Sequence, residues 1–134
     1  MSLRINQLQG MTAELAAALK SMGLNTATKL LEAAAQPAAR AELAQKLGIE
    51  ERTLLELVNR ADLSRIKGIG QVYSDLLEFA GVDTVAELAK RNADNLYQKL
   101  VEVAGEHHVQ RLPRRDQVED WVRQAKELGR GIFY

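Results

Sequence analysis

The sequence contains no cysteine and few aromatic residues. Without cysteine the chain forms no disulfide and no thiolate metal site, which fits a reducing compartment, and we therefore expect a cytoplasmic protein. Aromatic residues make up only 4% of the 134 residues while Ala and Leu recur throughout, so the core has to be aliphatic. Because Ala and Leu are the strongest helix formers, this composition favours helices.

Long apolar runs and an excess of charge of one sign are also missing. No apolar stretch approaches the roughly 20 residues that a membrane span requires, so no membrane partner is expected. The 18 Lys and Arg residues balance the 18 Asp and Glu residues, giving a formal net charge of zero. Proteins whose main task is binding phosphate backbones usually carry a marked basic excess. Any attraction for nucleic acid must therefore come from a local patch.

Strand signals are absent as well. The sequence shows no alternating strand pattern and no Asn-Gly or Asp-Gly hairpin turn between β-rich runs. Its length suits one compact domain with a buried core and no need for cross-links. We therefore predict an all-α fold, with residues 1–134 as a single domain.

An internal repeat organises the residues that are present. Residues 5–12 align with residues 63–70, an offset of 58, and the offset continues along the chain. The aligned pairs are Gly10 with Gly68, Leu19 with Leu77, Gly23 with Gly81, Thr26 with Thr84 and Leu30 with Leu88. We predict two pseudo-repeats packed as one compact helical domain, over residues 3–62 and 63–129, followed by a tail over 130–134.

Each half is predicted to contain a glycine turn, a helix, a second glycine and another short helix. In the second half the first of these helices spans about 71–80, with Val72, Leu76 and Phe79 at helical spacing and Tyr73 and Leu77 alongside them. Gly81, like Gly23 in the first half, is predicted to close the preceding helix in the left-handed conformation.

Further helices are predicted from caps and apolar stripes. Thr84 and Glu87 match a capping box, in which the hydroxyl accepts from a backbone amide and the carboxylate accepts from the cap amide. Helices are also expected over about 50–62 and after Asn92, and Trp121 lies on the apolar stripe of the last helix, which predicts a core position.

Residues 66–70, Ile-Lys-Gly-Ile-Gly, resemble the helix-hairpin-helix motif because a helix, a glycine and a second short helix follow them. The chain is also similar, over nearly its entire length, to a bacterial family of unknown function whose members carry tandem helix-hairpin-helix units. The residues that carry this similarity are Ala61-Asp62-Leu63, Gly81-Val82-Asp83-Thr84, Leu112-Pro113 and Trp121. The resemblance implies a tandem helix-hairpin-helix fold without implying an activity.

In helix-hairpin-helix DNA-binding proteins, the Gly-apolar-Gly turn lets the backbone approach a phosphate, toward which the amides of the next helix point. The resemblance places this role on Gly68, Ile69 and Gly70, with Lys67 and Arg65 as flanking charges. Ile69 is expected to lie between the two helices. The alternative is that the glycines only permit close helix packing.

The first turn departs from this pattern. It reads Gly10-Met11-Thr12, lacks the second glycine and has no cation nearby except Arg4. We therefore do not expect both turns to bind one duplex together.

Two further features of the sequence are considered as binding sites, a group of arginines and a pair of histidines. Arg111, Arg114 and Arg115 form the only basic cluster, either a phosphate patch or a solvated loop beside acidic residues. His107 and His108 are adjacent and lack the i, i+4 spacing of a metal pair, which predicts loop or helix-end positions and no metal.

The tail ends in three large apolar side chains after two glycines, Gly129 and Gly131. It either folds back on the body of the protein or docks into a neighbouring molecule.

Catalytic motifs are not found in the sequence. No serine lies in a nucleophile-elbow context, and no phosphate-binding loop is present. We expect no enzymatic activity, no cofactor and no small-molecule substrate. Two functions remain open. One is weak, sequence-independent binding of duplex DNA through the second turn, and the other is a protein-interaction or scaffolding module without nucleic-acid activity.

Overall fold

The computed structural model describes residues 3–134, and this part of the chain is helical. A 3-10 turn at Ile5–Gln7 precedes eight α-helices: α1 (Ala13–Ser21), α2 (Ala27–Ala33), α3 (Pro37–Leu47), α4 (Glu51–Leu63), α5 (Gln71–Phe79), α6 (Val85–Ala89), α7 (Ala93–Glu106) and α8 (Arg115–Leu128). Over residues 3–134 there is no strand, only an isolated antiparallel bridge between Arg4 and Thr26. The all-α prediction is confirmed. None of the helices described combines the length and the hydropathy that crossing a bilayer demands.

The chain divides into two compact units. Unit 1 holds the residues up to Arg65 together with Gly131–Tyr134, and unit 2 holds Ile66–Arg130. In unit 1, α2 and α3 pack against α4. In unit 2, α6 and α7 pack against α8, and α5 packs against α7.

Each unit has its own apolar core. That of unit 1 is aliphatic and includes Ile5, Leu19, Leu30, Leu54, Val58 and Ile132. That of unit 2 is also mainly aliphatic but contains Trp121 and Tyr73, whose ring centroids lie 5.2 Å apart at an interplanar angle of 53°. Trp121 is only 2% exposed, which confirms its predicted core position.

The apolar residues predicted along α5 are not all buried. Val72 and Phe79 are 41% and 44% exposed, whereas Tyr73, Leu76 and Leu77 are buried. Positions 73, 76, 77 and 80 form one stripe, and at about 100° per residue Val72 and Phe79 lie beside it. The ring of Phe79 instead stacks on the imidazole of His107, at 3.8 Å between centroids and 5° between planes.

Left-handed glycines close α1 and α5, as predicted. Gly23 and Gly81 have φ angles of +81° and +88°. In unit 2 the Gly81 amide donates to the Glu78 carbonyl at 3.0 Å and the Val82 amide donates to the Leu77 carbonyl at 2.8 Å. The same two hydrogen bonds form in unit 1, 58 residues earlier in the chain. Both ends are Schellman motifs, which satisfy carbonyls that the helix would otherwise leave unpaired.

Side-chain caps begin α2, α6 and α7. The hydroxyl of Thr26 accepts from the Lys29 amide at 3.2 Å, and that of Thr84 accepts from the Glu87 amide at 3.1 Å. Only this half of the predicted capping box forms at Thr84, because the Glu87 carboxylate lies 3.6 Å from the Arg91 guanidinium. The other predicted cap is present: the side chain of Asn92 accepts from the amide three residues later at 3.1 Å.

The tail folds back on unit 1, the first of the two alternatives that the sequence left open. Ile132 is 1% exposed within the core of unit 1, and the Phe133 amide donates to the Ala35 carbonyl at 2.8 Å. The guanidinium of the buried Arg40, which the sequence analysis did not identify, donates to the same carbonyl at 2.9 Å and to that of Ala34 at 3.1 Å.

Candidate functional site

The second glycine turn, residues 66–70, leads into α5 and lies in unit 2. Its backbone is left-handed at Gly68, where φ is +98°. A Cβ at this position would lie 3.2 Å from the indole Nε1 of Trp121. Ile69 is buried in the core of unit 2. Both the backbone conformation and the neighbouring indole therefore require glycine at position 68, so internal packing accounts for this residue.

Gly70 has a different environment. Its φ of −96° is accessible to any residue, and a Cβ placed on it would meet no atom within 4 Å. It is the N-cap of α5 and has no side chain to accept from the first-turn amides. That turn also contains no acidic residue. Helix N-termini carry amides without intrahelical acceptors and a partial positive charge, both of which favour an anion at this end of α5.

Gln124 on α8 holds the turn. Its side-chain oxygen accepts from the Lys67 amide at 2.8 Å, and its side-chain nitrogen donates to the Lys67 carbonyl at 3.0 Å. The same nitrogen donates to the Asp120 carboxylate at 2.8 Å. Sequence reasoning missed Gln124 because it lies 57 residues from its partner and belongs to no local motif.

The Asp120 carboxylate is held in its charged form. A hydrogen bond from Arg123, followed by the one from Gln124, lowers the pKa of Asp120 below its ordinary value. Asp120 in return raises the pKa of Arg123. The acceptor that orients Gln124 therefore stays ionised at neutral pH.

The two flanking cations of the turn differ in their partners. Lys67 is exposed, and its ammonium has no carboxylate within 4.0 Å in the described part of the chain. Arg65 belongs to unit 1, where its guanidinium lies 2.8 Å from the Asp62 carboxylate. Because Asp62 is only 1% exposed, removing Arg65 from it would weaken the compensation of a buried charge. The charge of Arg65 is therefore already engaged.

The three arginines of the basic cluster also differ from one another in their partners. Arg111 is exposed, and its guanidinium carbon lies 5.1 Å from the ring centroid of Tyr73, the third residue of α5. This cation–π contact brings one cation against the first turn of α5, which the sequence analysis did not anticipate.

The other two arginines of the cluster pair with acidic residues. The Nε of Arg114 lies 3.0 Å from the Asp116 carboxylate and lowers the pKa of that carboxyl group. Arg115 pairs with Asp94 and, at 3.3 Å, with Glu119; the hydrogen bond to Asp94 is the largest cause of the raised pKa of Arg115. These two residues are exposed and paired with acidic residues, as the solvated alternative expected, but they lie at the start of α8 rather than in a loop.

The first glycine turn differs from the second because the helix that follows it, α1, has a side-chain cap at its N-terminus. Gly10 is left-handed with φ of +88°, and a Cβ there would lie 3.6 Å from Leu57. Thr12 caps α1 by accepting from the Leu15 amide at 3.2 Å, and Glu14 places a negative charge in the first turn of the helix. An anion would meet a filled cap and a repelling carboxylate.

The histidines lie at a helix end, as predicted. His107 is the C-cap of α7, and His108 follows it with a φ of +57°. Within residues 3–134, no three His, Asp or Glu side chains come together in a way that could hold a metal ion.

A shallow groove of about 320 Å³ lies in unit 1 and is lined mainly by apolar side chains. The lining residues are Met22, Leu24, Ala33, Ala39, Glu42, Leu43 and Lys46. Its two charged residues form an ion pair at 3.3 Å, and the lining contains no hydroxyl or imidazole group.

Comparison with known proteins identifies one family. No curated protein and no solved structure matches the chain. A family profile described as "Domain of unknown function (DUF4332)" matches residues 9–128, which include all eight helices and both glycine turns. The chain therefore belongs to the DUF4332 family of domains of unknown function.

Proposed function

We propose that the chain comprises two helix-hairpin-helix units and that its second turn binds the phosphate backbone of duplex DNA weakly and without sequence preference. The observation that carries the proposal is the uncapped N-terminus of α5 beside the free ammonium of Lys67. Gly70 leaves the approach to these amides open, because its missing Cβ faces empty space. Exposed amides and a nearby cation are the groups that bind a phosphate oxygen.

The repeated hairpin has local support in both units. Gly10 and Gly68 share a left-handed backbone, as do Gly23 and Gly81. Both α1 and α5 have nine residues, and each ends in a Schellman motif that leads to a threonine-capped helix. Two stretches 58 residues apart thus build the same succession of turn, helix, glycine and capped helix.

The pairing of the arginines makes the proposed binding weak. Arg65, Arg114 and Arg115 are neutralised by carboxylates, which leaves Lys67 and Arg111 as the cations near α5. Each neutralised phosphate contributes a slope of about −0.9 to log K against log salt, so two contacts predict a slope of about −2. The expected dissociation constant is in the non-specific range of roughly 10⁻⁴ to 10⁻⁶ M.

The protein-interaction alternative loses one of its supports. The apolar tail was one of its three motivations, and Ile132 of this tail is buried within unit 1. The zero net charge and the capped helix N-terminus after the first turn still favour the protein-interaction alternative. It becomes the preferred function if DNA binding fails in the following experiment.

Fluorescence anisotropy of a labelled duplex at about 50 mM salt tests the proposal. We expect saturable binding by the wild type, and about a tenfold loss in affinity for each of Lys67→Glu and Arg111→Glu, because each reverses a charge at the proposed contact. The matched control is Lys29→Glu, which makes the same charge change in unit 1 at the third position of the capped helix α2. This control should retain wild-type affinity.

Two results would contradict the proposal. One is the absence of binding at about 50 μM protein in low salt, since even non-specific binders reach this range. The other is an equal loss of affinity in Lys67→Glu and Lys29→Glu, which would show that net charge alone is responsible.

A further inference from the structure

The tail, defined here as Gly131–Tyr134, contributes to the core of unit 1, although the preceding helix α8 belongs to unit 2. Its Ile132 is 1% exposed among the core side chains of unit 1, whereas α8 and Arg130 belong to unit 2. Burying a branched apolar side chain of this size stabilises the core that receives it. Unit 1 therefore uses a side chain that reaches it from the far end of the chain.

The surface that receives the tail, here named the tail seat, consists of Ala34, Ala35 and Arg40 beside the cavity that holds Ile132. Arg40 is buried, and its guanidinium donates to the carbonyls of Ala34 and Ala35 at the end of α2. A cation at a helix C-terminus is favourable, and it fixes these carbonyls in place. The Ala35 carbonyl then accepts from the Phe133 amide of the tail at 2.8 Å.

The fit depends on residue identity at three tail positions. A Cβ on Gly131 would lie 2.5 Å from Arg65 Nη1 and 2.6 Å from Asp62 Oδ1, so a larger residue would have to displace this partly buried ion pair. Ile132 fills the apolar cavity. The ring centroid of Tyr134 lies 5.7 Å from the guanidinium carbon of Arg40. The tail seat thus recognises an extended segment with glycine, a branched aliphatic residue and an aromatic residue in order.

We propose that the tail seat is a binding site for an extended Gly-Ile-Phe-Tyr segment and that a second copy of this chain supplies it by exchange of tails. Every contact above can form equally well with the tail of another copy, because each copy carries both the tail and the seat. Two glycines, Gly129 and Gly131, flank Arg130 and provide a hinge; Gly129 has φ of +74°. A twofold exchange closes on itself and leaves no unpaired seat.

Concentration determines which form prevails. A tail joined to its own seat through a short linker has an effective concentration on the order of millimolar. Exchange between copies is therefore expected only at chain concentrations approaching that value, or when the attached tail is weakened.

The seat is tested with the full-length chain carrying Ile132→Asp, which removes the attached tail as a competitor. The probe is a fluorescent peptide of sequence Arg-Gly-Ile-Phe-Tyr. We expect saturable binding to this variant, at least about tenfold weaker binding to the wild type whose seat is filled, and none for a peptide with Asp in place of Ile. If the folded variant does not bind the peptide, or both chains bind it equally, the seat is refuted.

A second variant covers the case in which Ile132→Asp does not fold. Phe133→Pro removes the amide that donates to the Ala35 carbonyl while it keeps Ile132 and the apolar cavity. Because position 133 is 41% exposed, this change should release the tail without emptying the core of other residues. The same peptide measurement then applies, with the same two refuting outcomes.

The source of the segment is tested by mixing two pools of wild-type chain with different fluorescent labels. Sedimentation velocity and energy transfer from about 10 μM to about 1 mM should show dimers that increase with concentration and that an excess of the tail peptide dissociates. A monomer without energy transfer throughout this range would refute the exchange. Persistence of the dimer in Ile132→Asp would refute the role of the tail in it.

Discussion

At the scale of single residues, the two glycines of the second turn differ in how strongly the structure requires glycine at their positions. Gly68 combines a φ of +98° with a nearby indole, so Gly68→Ala should lower the free energy of unfolding by about 1–3 kcal/mol. Gly70 has neither constraint, and Gly70→Ala should cost less than about 1 kcal/mol. Urea unfolding followed by Trp121 fluorescence measures both. Equal costs would contradict the assignment of the steric constraint to Gly68.

The carboxyl group of Asp120 should titrate below its ordinary pKa of about 3.9, because it accepts hydrogen bonds from Arg123 and Gln124. A carboxyl with a lowered pKa contributes stability above its ordinary pKa and loses that contribution as the pH falls through the lowered value. The hold of Gln124 on the turn should therefore be unchanged around neutral pH and weaken only in strong acid. Carbon-detected NMR titration of the carboxyl group measures the pKa.

Arg123→Ala is the control for this titration. It removes the largest cause of the shift, and the pKa of Asp120 should rise toward its ordinary value while the bond from Gln124 remains. A pKa that does not move in this variant would show that the pair is not formed in solution.

At the scale of helices, caps were recognisable from short stretches of sequence. Thr84→Ala should lower the free energy of unfolding by about 1 kcal/mol, because the Glu87 amide loses its acceptor. Thr53→Ala is the control, since Thr53 is exposed within α4, where Ala is the better helix former. Thermal or urea unfolding should show a loss for the first variant and little change or a small gain for the second. Matching losses would contradict the capping role.

The buried face of α5 shows where sequence reasoning at this scale ends. The helix was predicted within one residue of its end, but which of its apolar residues face the core was not predicted. Apolar side chains occupy several faces of this helix, so periodicity alone does not choose among them. Packing in the core of unit 2 makes that choice: α5 contacts α7, and the ring of Tyr73 lies against Trp121 of α8.

At the scale of the whole molecule, the tail contributes to the stability of unit 1. Ile132→Ala should lower the free energy of unfolding by about 2–5 kcal/mol, since it leaves a cavity in a packed core. The neighbouring Phe133→Ala, at a 41% exposed position that keeps its backbone amide, should cost much less. Circular dichroism during urea unfolding compares them. A small effect of Ile132→Ala would place the tail outside the core in solution.

The candidate site was predictable only in part. The turn, its glycines and Lys67 follow from a local pattern of five residues. Which cations stay free does not, because Arg115 pairs with Asp94 from another helix and Arg111 reaches the ring of Tyr73. These contacts join residues about 20 to 40 positions apart, and no local spacing signals them.

The sequence by itself determined the helical class, the helix ends and the left-handed glycines, because caps and Schellman turns depend on residues within one or two turns of each other. Only the tertiary structure decided which face of α5 is buried, that Gln124 holds the turn, and that Ile132 completes the core of unit 1. Those outcomes depend on side chains from distant segments competing for the same space, and such a competition is settled by packing and by hydrogen-bond geometry.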